Sequence, residues 1–139
     1  MRNKQFSVGV NECDDRGAIK NAVISDWFEV AAKGYLQECL VEFKHGNKTP
    51  EWQQQSLQFD YLHSGFAHSD VDLELSVTEL ARRSCTLGCR FYQAGKLMAV
   101  GSCVMVLVLA RDGDVTVIPA ATYDVLKSEM LGFLRIARS

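Results

Sequence analysis

The sequence has little proline, no run of like charges and no long apolar stretch. Its two prolines, Pro50 and Pro119, both stand where a predicted element begins. Lys and Arg number 15 against 17 Asp and Glu, without the basic arm that a nucleic-acid-binding chain usually carries. The longest apolar stretch, residues 97–110, is interrupted by Gly101 and Ser102 and is too short to cross a bilayer. We therefore expect neither a nucleic-acid partner nor a membrane partner.

Metal-binding and redox motifs are also missing. The three histidines lack the HExxH or a similar ligand spacing, and the five cysteines form no CxxC pair. An odd number of cysteines within apolar patterns indicates reduced thiols that behave as buried hydrophobic residues. Because the first ten residues also lack a secretory signal, the sequence predicts a cytoplasmic protein without a metal or a cofactor.

What the chain has is enough apolar material for one core. It contains 139 residues, 47% of them hydrophobic, with no repeat and no linker, which predicts a single domain over residues 1–139. Apolar and polar residues alternate in residues 71–78 and 84–91, as in half-buried strands. Residues 93–96 read as a hairpin turn, and residues 97–110 as a long central strand because both faces are apolar.

A long helix is predicted near the N-terminus, from Asn21 as its N-cap to about Leu40. Its polar stripe is narrow, with Glu29 and Lys33 spaced to pair, so the helix should be almost enclosed. A short strand over Phe6–Val10 should precede it and a polar connection over residues 42–55 should follow it. A second helix should start at Pro119.

This order of elements predicts an α+β fold with a largely antiparallel sheet. A helix of about 19 residues is about 28 Å long, which is close to the width of five or six strands spaced about 4.8 Å apart. A twisted sheet can therefore curl around this one helix and bury its apolar sides.

A cluster of acidic residues lies between the first strand and the helix. Glu12, Asp14 and Asp15 crowd together with Arg16 and Gly17. Carboxylates this close repel one another. The cluster is therefore energetically costly unless it is well solvated or serves a function. An aspartate before a helix most often serves as a cap or turn residue, and Glu12 and Asp15 are expected to be solvated.

Three stretches resemble the 4-hydroxybenzoyl-CoA thioesterase family of hotdog-fold proteins. They are DDRGAIKNAVISDWFE (residues 14–29), FDYL with VDLELSVTELARRS (residues 59–62 and 71–84) and RDGDVTVIP (residues 111–119). Each is a weak signal, but their order and nearly gapless spacing are fairly specific. The chain departs from the family pattern at Ala18, Lys20 and Ile24, where the family often has His, Asn and Tyr.

The resemblance implies an antiparallel sheet wrapped around one central helix and an acyl-CoA thioesterase that releases a free acid and CoA. It implies that Asp14 is catalytic, either as a general base for water or as a nucleophile. Gly17, Ile19 and Asn21 are the candidate substrate-binding residues, Asn21 being more simply a helix cap. Arg82, Arg83 and Ser84 form a basic turn that resembles the family's contact with the nucleotide end of CoA, and a solvated turn explains them equally well.

Other functions remain open at this point. The chain could be a thioesterase for acyl chains on a carrier protein, or a non-catalytic acyl-binding hotdog module. A hydratase or dehydratase is disfavoured, since the first motif holds no His, and the loop histidines His63 and His68 are most simply solvent-facing. Because a curled sheet leaves exposed edges, we expect a homodimer or homotetramer.

Overall fold

The computed structural model describes the backbone of residues 1–41, 50–109 and 113–138, and the side chains within these ranges up to residue 132. Within them the chain forms six strands and two long helices. In chain order these are β1 (Arg2–Phe6), α1 (Asn21–Cys39), β2 (Pro50–Tyr61), β3 (Val71–Leu80), β4 (Cys85–Gln93), β5 (Lys96–Leu109), β6 (Val115–Thr116) and α2 (Ala120–Arg138). Neither of these helices is long and apolar enough to cross a membrane.

The strands form one antiparallel sheet in the order β1-β3-β4-β5-β2. β5 is an interior strand between β4 and β2, as its two apolar faces predicted. β6 pairs with Leu107 and Val108 of β5, beyond Met105, where the pairing of β5 with β4 stops. The predicted turn between β4 and β5 is confirmed, because Ala94 and Gly95 have φ angles of 51° and 78°, the left-handed values that a tight hairpin needs. The predicted α+β hotdog fold is thus the observed one.

α1 packs one face against the sheet. Its buried side chains are Ile24, Phe28, Ala31, Ala32, Tyr35, Leu36 and Cys39. They meet the inward residues of β3, β4 and β5, such as Leu75, Leu87 and Met105, in one core that also takes in Leu126 of α2. The exposed face of α1 is wider than the narrow polar stripe predicted from the sequence, since the apolar residue Val30 on that face is 64% exposed. A single chain therefore covers α1 on one side and does not enclose it.

Two predicted boundaries are wrong. The first strand ends at Phe6, where it was expected to begin, because Phe6 pairs with Val71 and the loop before Val71 gives no further partner. β2 already begins at Pro50, inside the predicted polar connection, because Trp52 turns into the core while its polar neighbours face outward from an edge strand. The rest of that connection, residues 42–49, lies outside the described residues, as do the last residue of the predicted strand over residues 97–110 and the first two residues of the stretch over residues 111–119.

Candidate active site

A tight loop leads from the first strand to α1. The N–H of Asp14 donates to the carbonyl of Ala18 at 2.8 Å, and the N–H of Gly17 donates to the carbonyl of Asp14 at 3.0 Å. Gly17 has a φ of +82°, which an L-residue with a side chain adopts at a cost. Gly17 therefore closes this loop, and its backbone borders open space.

The side chain of Asp14 is held by the same loop. Its Oδ1 accepts hydrogen bonds from the N–H groups of Arg16 at 2.9 Å and Ala18 at 3.0 Å. These bonds, first the one from Ala18 and then the one from Arg16, hold the pKa of the Asp14 carboxyl below its usual value. The second oxygen, Oδ2, lies 3.9 Å from the Arg16 guanidinium, and the side chain is 34% exposed. Asp14 is thus ionised at neutral pH and keeps one accessible oxygen.

The other acidic residues of the cluster have different surroundings. Glu12 is half-buried and accepts a hydrogen bond from the N–H of Gly9 at 2.8 Å, which caps a short 3-10 turn over Val10–Glu12. Glu12 is thus partly solvated, as expected, and also caps this turn. Asp15 is exposed, as expected.

The start of α1 offers unpaired amide donors. Asn21 is the first helical residue, and Lys20 precedes it at the N-cap position without a side-chain cap, so the predicted cap at Asn21 is wrong by one residue. The N–H of Lys20 donates to Glu12 and that of Val23 to Lys20. Within the described part of the chain, the N–H groups of Asn21 and Ala22 have no acceptor, as is usual in a first helical turn. They carry partial positive charge at this end of the helix.

A cavity of about 220 Å³ opens beside this helix end. It is lined by Ile19, Asn21, Ile24, Tyr61, Leu62, His63, Ser64 and Gly65. Two of the three predicted substrate-binding residues, Ile19 and Asn21, thus share one cavity. Asp14 and Gly17 belong to the adjoining loop, since Asp14 bonds to Ala18, the neighbour of Ile19.

The far wall of the cavity is a loop that sequence analysis left without a role. The N–H of Ile19 donates to the carbonyl of Gly65 at 2.8 Å, and Ala18 pairs with Phe66 as an isolated antiparallel bridge. A Cβ on Gly65 would collide with the side chains of Met98 and Ile19, so glycine permits this close approach. No local pattern in the sequence signals that these segments meet.

The two loop histidines differ in position. His63 is exposed and lines the cavity, although the sequence alone favoured a plain surface residue. His68 is exposed, and its ring lies 6.0 Å from that of Phe66 in a stacked arrangement.

Arg82, Arg83 and Ser84 lie in the turn between β3 and β4, at the other end of the sheet. Asp14 belongs to the end where Phe6 meets Val71, whereas this turn follows Leu80. The ten residues of β3 put about 30 Å between the two ends, at about 3.3 Å per residue. Within one chain the structure therefore does not bring this turn to Asp14.

The turn has contacts of its own. Arg83 donates to the carbonyl of Val115 at 3.3 Å, and the carbonyl of Ser84 accepts a bond from Ala81 at 2.9 Å. Arg82 borders a separate cavity of about 300 Å³ beside the start of α2, together with Ile118, Tyr123 and Asp124.

The five cysteines are buried and free. Burial raises the pKa of the Cys85, Cys89 and Cys103 thiols to about 12. They are therefore poor nucleophiles, in agreement with their expected role as hydrophobic residues.

The fold is shared with many solved structures. A predicted thioesterase from Bacillus stearothermophilus aligns with a TM-score of 0.79 and 22% identity, covering 91% of this chain and 94% of that one. A gentisyl-coenzyme A thioesterase aligns with a TM-score of 0.76 and 18% identity, covering 90% and 99%. A hypothetical protein from Staphylococcus aureus in complex with CoA aligns with a TM-score of 0.83 and 11% identity, covering 93% and 83%.

Sequence comparison adds nothing to this result, since no family profile and no curated protein matches the chain significantly. At these identities the structural likeness shows the fold. The chain therefore has the hotdog fold, which it shares with structures named as thioesterases.

Proposed function

We propose that this protein is an acyl-CoA thioesterase that hydrolyses an acyl- or aroyl-CoA to the free acid and CoA. The observation that carries the proposal is the arrangement at the start of α1. Asp14, an ionised carboxylate whose Oδ2 accepts no backbone hydrogen bond, is hydrogen-bonded through Oδ1 to Ala18, and the next residue, Ile19, lines a cavity bordered by the uncapped N-terminus of a long helix. The thioesterase names of structural neighbours support the same activity.

Each part of this arrangement has a chemical role in thioester hydrolysis. The free N–H groups of Asn21 and Ala22 can donate to the oxyanion that forms when the thioester carbonyl is attacked. The Asp14 carboxylate can take a proton from water as the water oxygen adds to the carbonyl carbon, and CoA then leaves as a thiolate that is protonated by solvent. Alternatively, Asp14 can add to the carbonyl carbon itself, so that the C–S bond breaks, CoA leaves as a thiolate and a mixed anhydride forms; water then opens the anhydride to the free acid and the Asp14 carboxylate. Both routes use the same free oxygen.

The low pKa of Asp14 bears on both routes. Bonds from Arg16 and Ala18 withdraw basicity from the carboxylate, which makes it a weak base and a weak nucleophile. A thioester tolerates this weakness because thiolate is a good leaving group. The same carboxylate would be poorly suited to hydrolysing an amide.

The cavity favours a small acyl group. Its volume of about 220 Å³ is below the range of about 300 to 1,000 Å³ typical of pockets for drug-sized ligands. Ile19, Ile24 and Leu62 provide apolar walls, while Asn21, His63 and Ser64 add polar groups. A short or single-ring acyl group with a polar substituent suits such a lining.

The nucleotide end of CoA requires a second subunit in this proposal. β2 is a 12-residue edge strand, and in a two-fold pair joined along β2 the strand directions are opposed. Such a pair sets the Asp14 end of one subunit on the same side as the Arg82–Ser84 turn of its partner. Arginines there can bind the phosphates of CoA.

The proposal is tested by thiol release from a panel of aromatic and short aliphatic acyl-CoAs, with the same acyl groups on a carrier protein. Hydrolysis of at least one acyl-CoA with multiple turnovers supports it. Turnover confined to the carrier-bound acyl groups would favour a carrier-protein thioesterase. Binding of acyl-CoA without any turnover would favour a non-catalytic acyl-binding module and overturn the proposal.

A further inference from the structure

Gln93, the last residue of β4, has a buried amide that is fully hydrogen-bonded to one loop. Its side chain is among the few buried polar ones, with 7% exposure. Oε1 accepts the N–H of Phe66 at 2.8 Å, while Nε2 donates to the carbonyls of Phe66 at 2.5 Å and Ser69 at 2.8 Å. One side chain thereby satisfies three backbone groups of a segment that lies outside the six strands of the sheet.

The loop held by Gln93 is the one that meets the Asp14 loop. Phe66 pairs with Ala18, and the carbonyl of the neighbouring Gly65 accepts the N–H of Ile19. Ala18 in turn donates its N–H to Oδ1 of Asp14. A continuous path of hydrogen bonds and backbone pairing therefore leads from Gln93 through Phe66 and Ala18 to the carboxylate.

We propose that Gln93 is a positioning residue for Asp14. Its hydrogen bonds fix the loop over residues 62–70, and this loop, the brace, fixes the loop over residues 14–20 that it contacts. The inference rests on the proposed function of Asp14, and Gln93 itself is not among the residues that line the cavity at the start of α1. Bonding to the three backbone groups of Phe66 and Ser69 requires a side chain of this length that has two N–H donors and one acceptor. Asn is too short, Glu would set a carboxylate against two carbonyls, and Met would leave three backbone groups without partners.

The decisive variant is Gln93→Met, which keeps the length and removes every polar contact. Gln5→Met on β1 is the matched control, since the Gln5 amide is exposed and donates to the side chain of Asp72 on β3 rather than to the loop. The reaction needs the carboxylate within a fraction of an ångström of the thioester, so we expect kcat of Gln93→Met to fall at least about tenfold. KM should rise less than kcat falls, because the loop contributes only residues 62–65 to the acyl cavity, whereas the groups proposed for the phosphates of CoA lie in the Arg82–Ser84 turn. Gln5→Met should leave both constants unchanged.

Amide hydrogen exchange tests the brace without reference to activity. In Gln93→Met the Phe66 amide loses its acceptor and should exchange faster. If the path is as proposed, the amides of Ala18 and Ile19 should also exchange at least about tenfold faster, while those in the middle of β3 and β5 remain protected. Faster exchange at Phe66 alone, with Ala18 and Ile19 unchanged, would overturn the inference, since Gln93 would then serve its own loop only.

The two measurements separate the inference from the proposed function. If Gln93→Met loses protection at Ala18 and Ile19 but the wild type has no thioesterase activity, the brace is upheld and the proposed function is refuted. Normal kcat in Gln93→Met, in a wild type that is active, would uphold the function and refute the positioning role. If Gln93→Met fails to fold, Gln93→Asn provides the same two readouts, because its shorter amide does not reach the backbone groups of Phe66 and Ser69, and the same outcomes decide.

Discussion

Asp14 and Ala18 hold each other through both main chain and side chain. The N–H of Asp14 donates to the carbonyl of Ala18 at 2.8 Å, and the N–H of Ala18 donates to Oδ1 of Asp14 at 3.0 Å. The contacts of residue 18 with the candidate catalytic group are thus made by its backbone. Because these contacts need no side chain at position 18, alanine can stand there, where the family that the sequence resembles often has histidine.

The ionisation of Asp14 should respond to this arrangement. Because the folded-state pKa is depressed by the N–H groups of Ala18 and Arg16, Asp14 stabilises the fold at pH values above its unfolded pKa of about 3.9. That contribution is lost as pH falls through the lower folded-state pKa. We expect the difference in free energy of unfolding between wild type and Asp14→Asn to be constant from pH 7 to 5 and to shrink below pH 4. A carboxyl resonance of Asp14 that titrates above pH 4 would contradict this.

Gly17 and Gly34 form a matched pair of glycines for mutation to alanine. A Cβ at either position meets open space, but Gly17 has a positive φ and Gly34 is an exposed residue within α1. Gly17→Ala should destabilise the protein by about 1 kcal/mol or more, whereas Gly34→Ala should stabilise it by up to about 1 kcal/mol. Urea unfolding of both variants checks the signs. Equal effects would show that the Asp14 loop does not depend on the left-handed backbone of Gly17.

The buried thiols should be inert in the folded protein. With a pKa of about 12, thiols such as Cys85 and Cys103 are ionised to about one part in 10⁴ at pH 8, and side-chain packing adds a further barrier. We expect Ellman's reagent to react with fewer than one thiol per chain within minutes in native buffer. All five cysteines should react in guanidinium chloride. Rapid reaction of several thiols in the native protein would contradict the described core.

The shared-site proposal predicts complementation between inactive variants. Asp14→Asn lacks the reacting carboxylate, and a double variant with Arg82→Ala and Arg83→Ala lacks the phosphate-binding turn. If each site combines Asp14 of one subunit with the turn of its partner, a mixed dimer regains one intact site out of two. Random re-association of equal amounts should therefore restore about one quarter of wild-type activity at low CoA-ester concentration. No recovery in dimers shown to have exchanged would place both groups in one subunit's site.

Local patterns in the sequence predicted the strands and turns that depend on residues close together along the chain. The alternation in residues 71–78 predicted β3, and residues 93–96 predicted the turn between β4 and β5; the structure confirms both. The end of β1 at Phe6 and the early start of β2 at Pro50 depend on strand pairing, which no window of a few residues contains.

The residues of the candidate site fall into the same two groups, those that are close in sequence and those that meet through the fold. Asp14, Gly17 and Ile19 lie together because they are close in sequence, and the motif suffices to find them. Gln93 and Gly65 contribute through contacts between distant segments. The distance between Asp14 and the Arg82 turn likewise follows from the sheet, since motif order alone gives no position along a strand.

The most direct test of the account is steady-state hydrolysis of the best acyl-CoA substrate by Asp14→Asn and Asp15→Asn. The two variants make the same chemical change at adjacent positions, but Asp15 is exposed. General-base or nucleophilic action by Asp14 predicts a fall in kcat of about 10²- to 10⁴-fold for Asp14→Asn and a change of less than about twofold for Asp15→Asn. Turnover by folded Asp14→Asn at the rate of wild type would contradict the assignment of Asp14 as the reacting carboxylate.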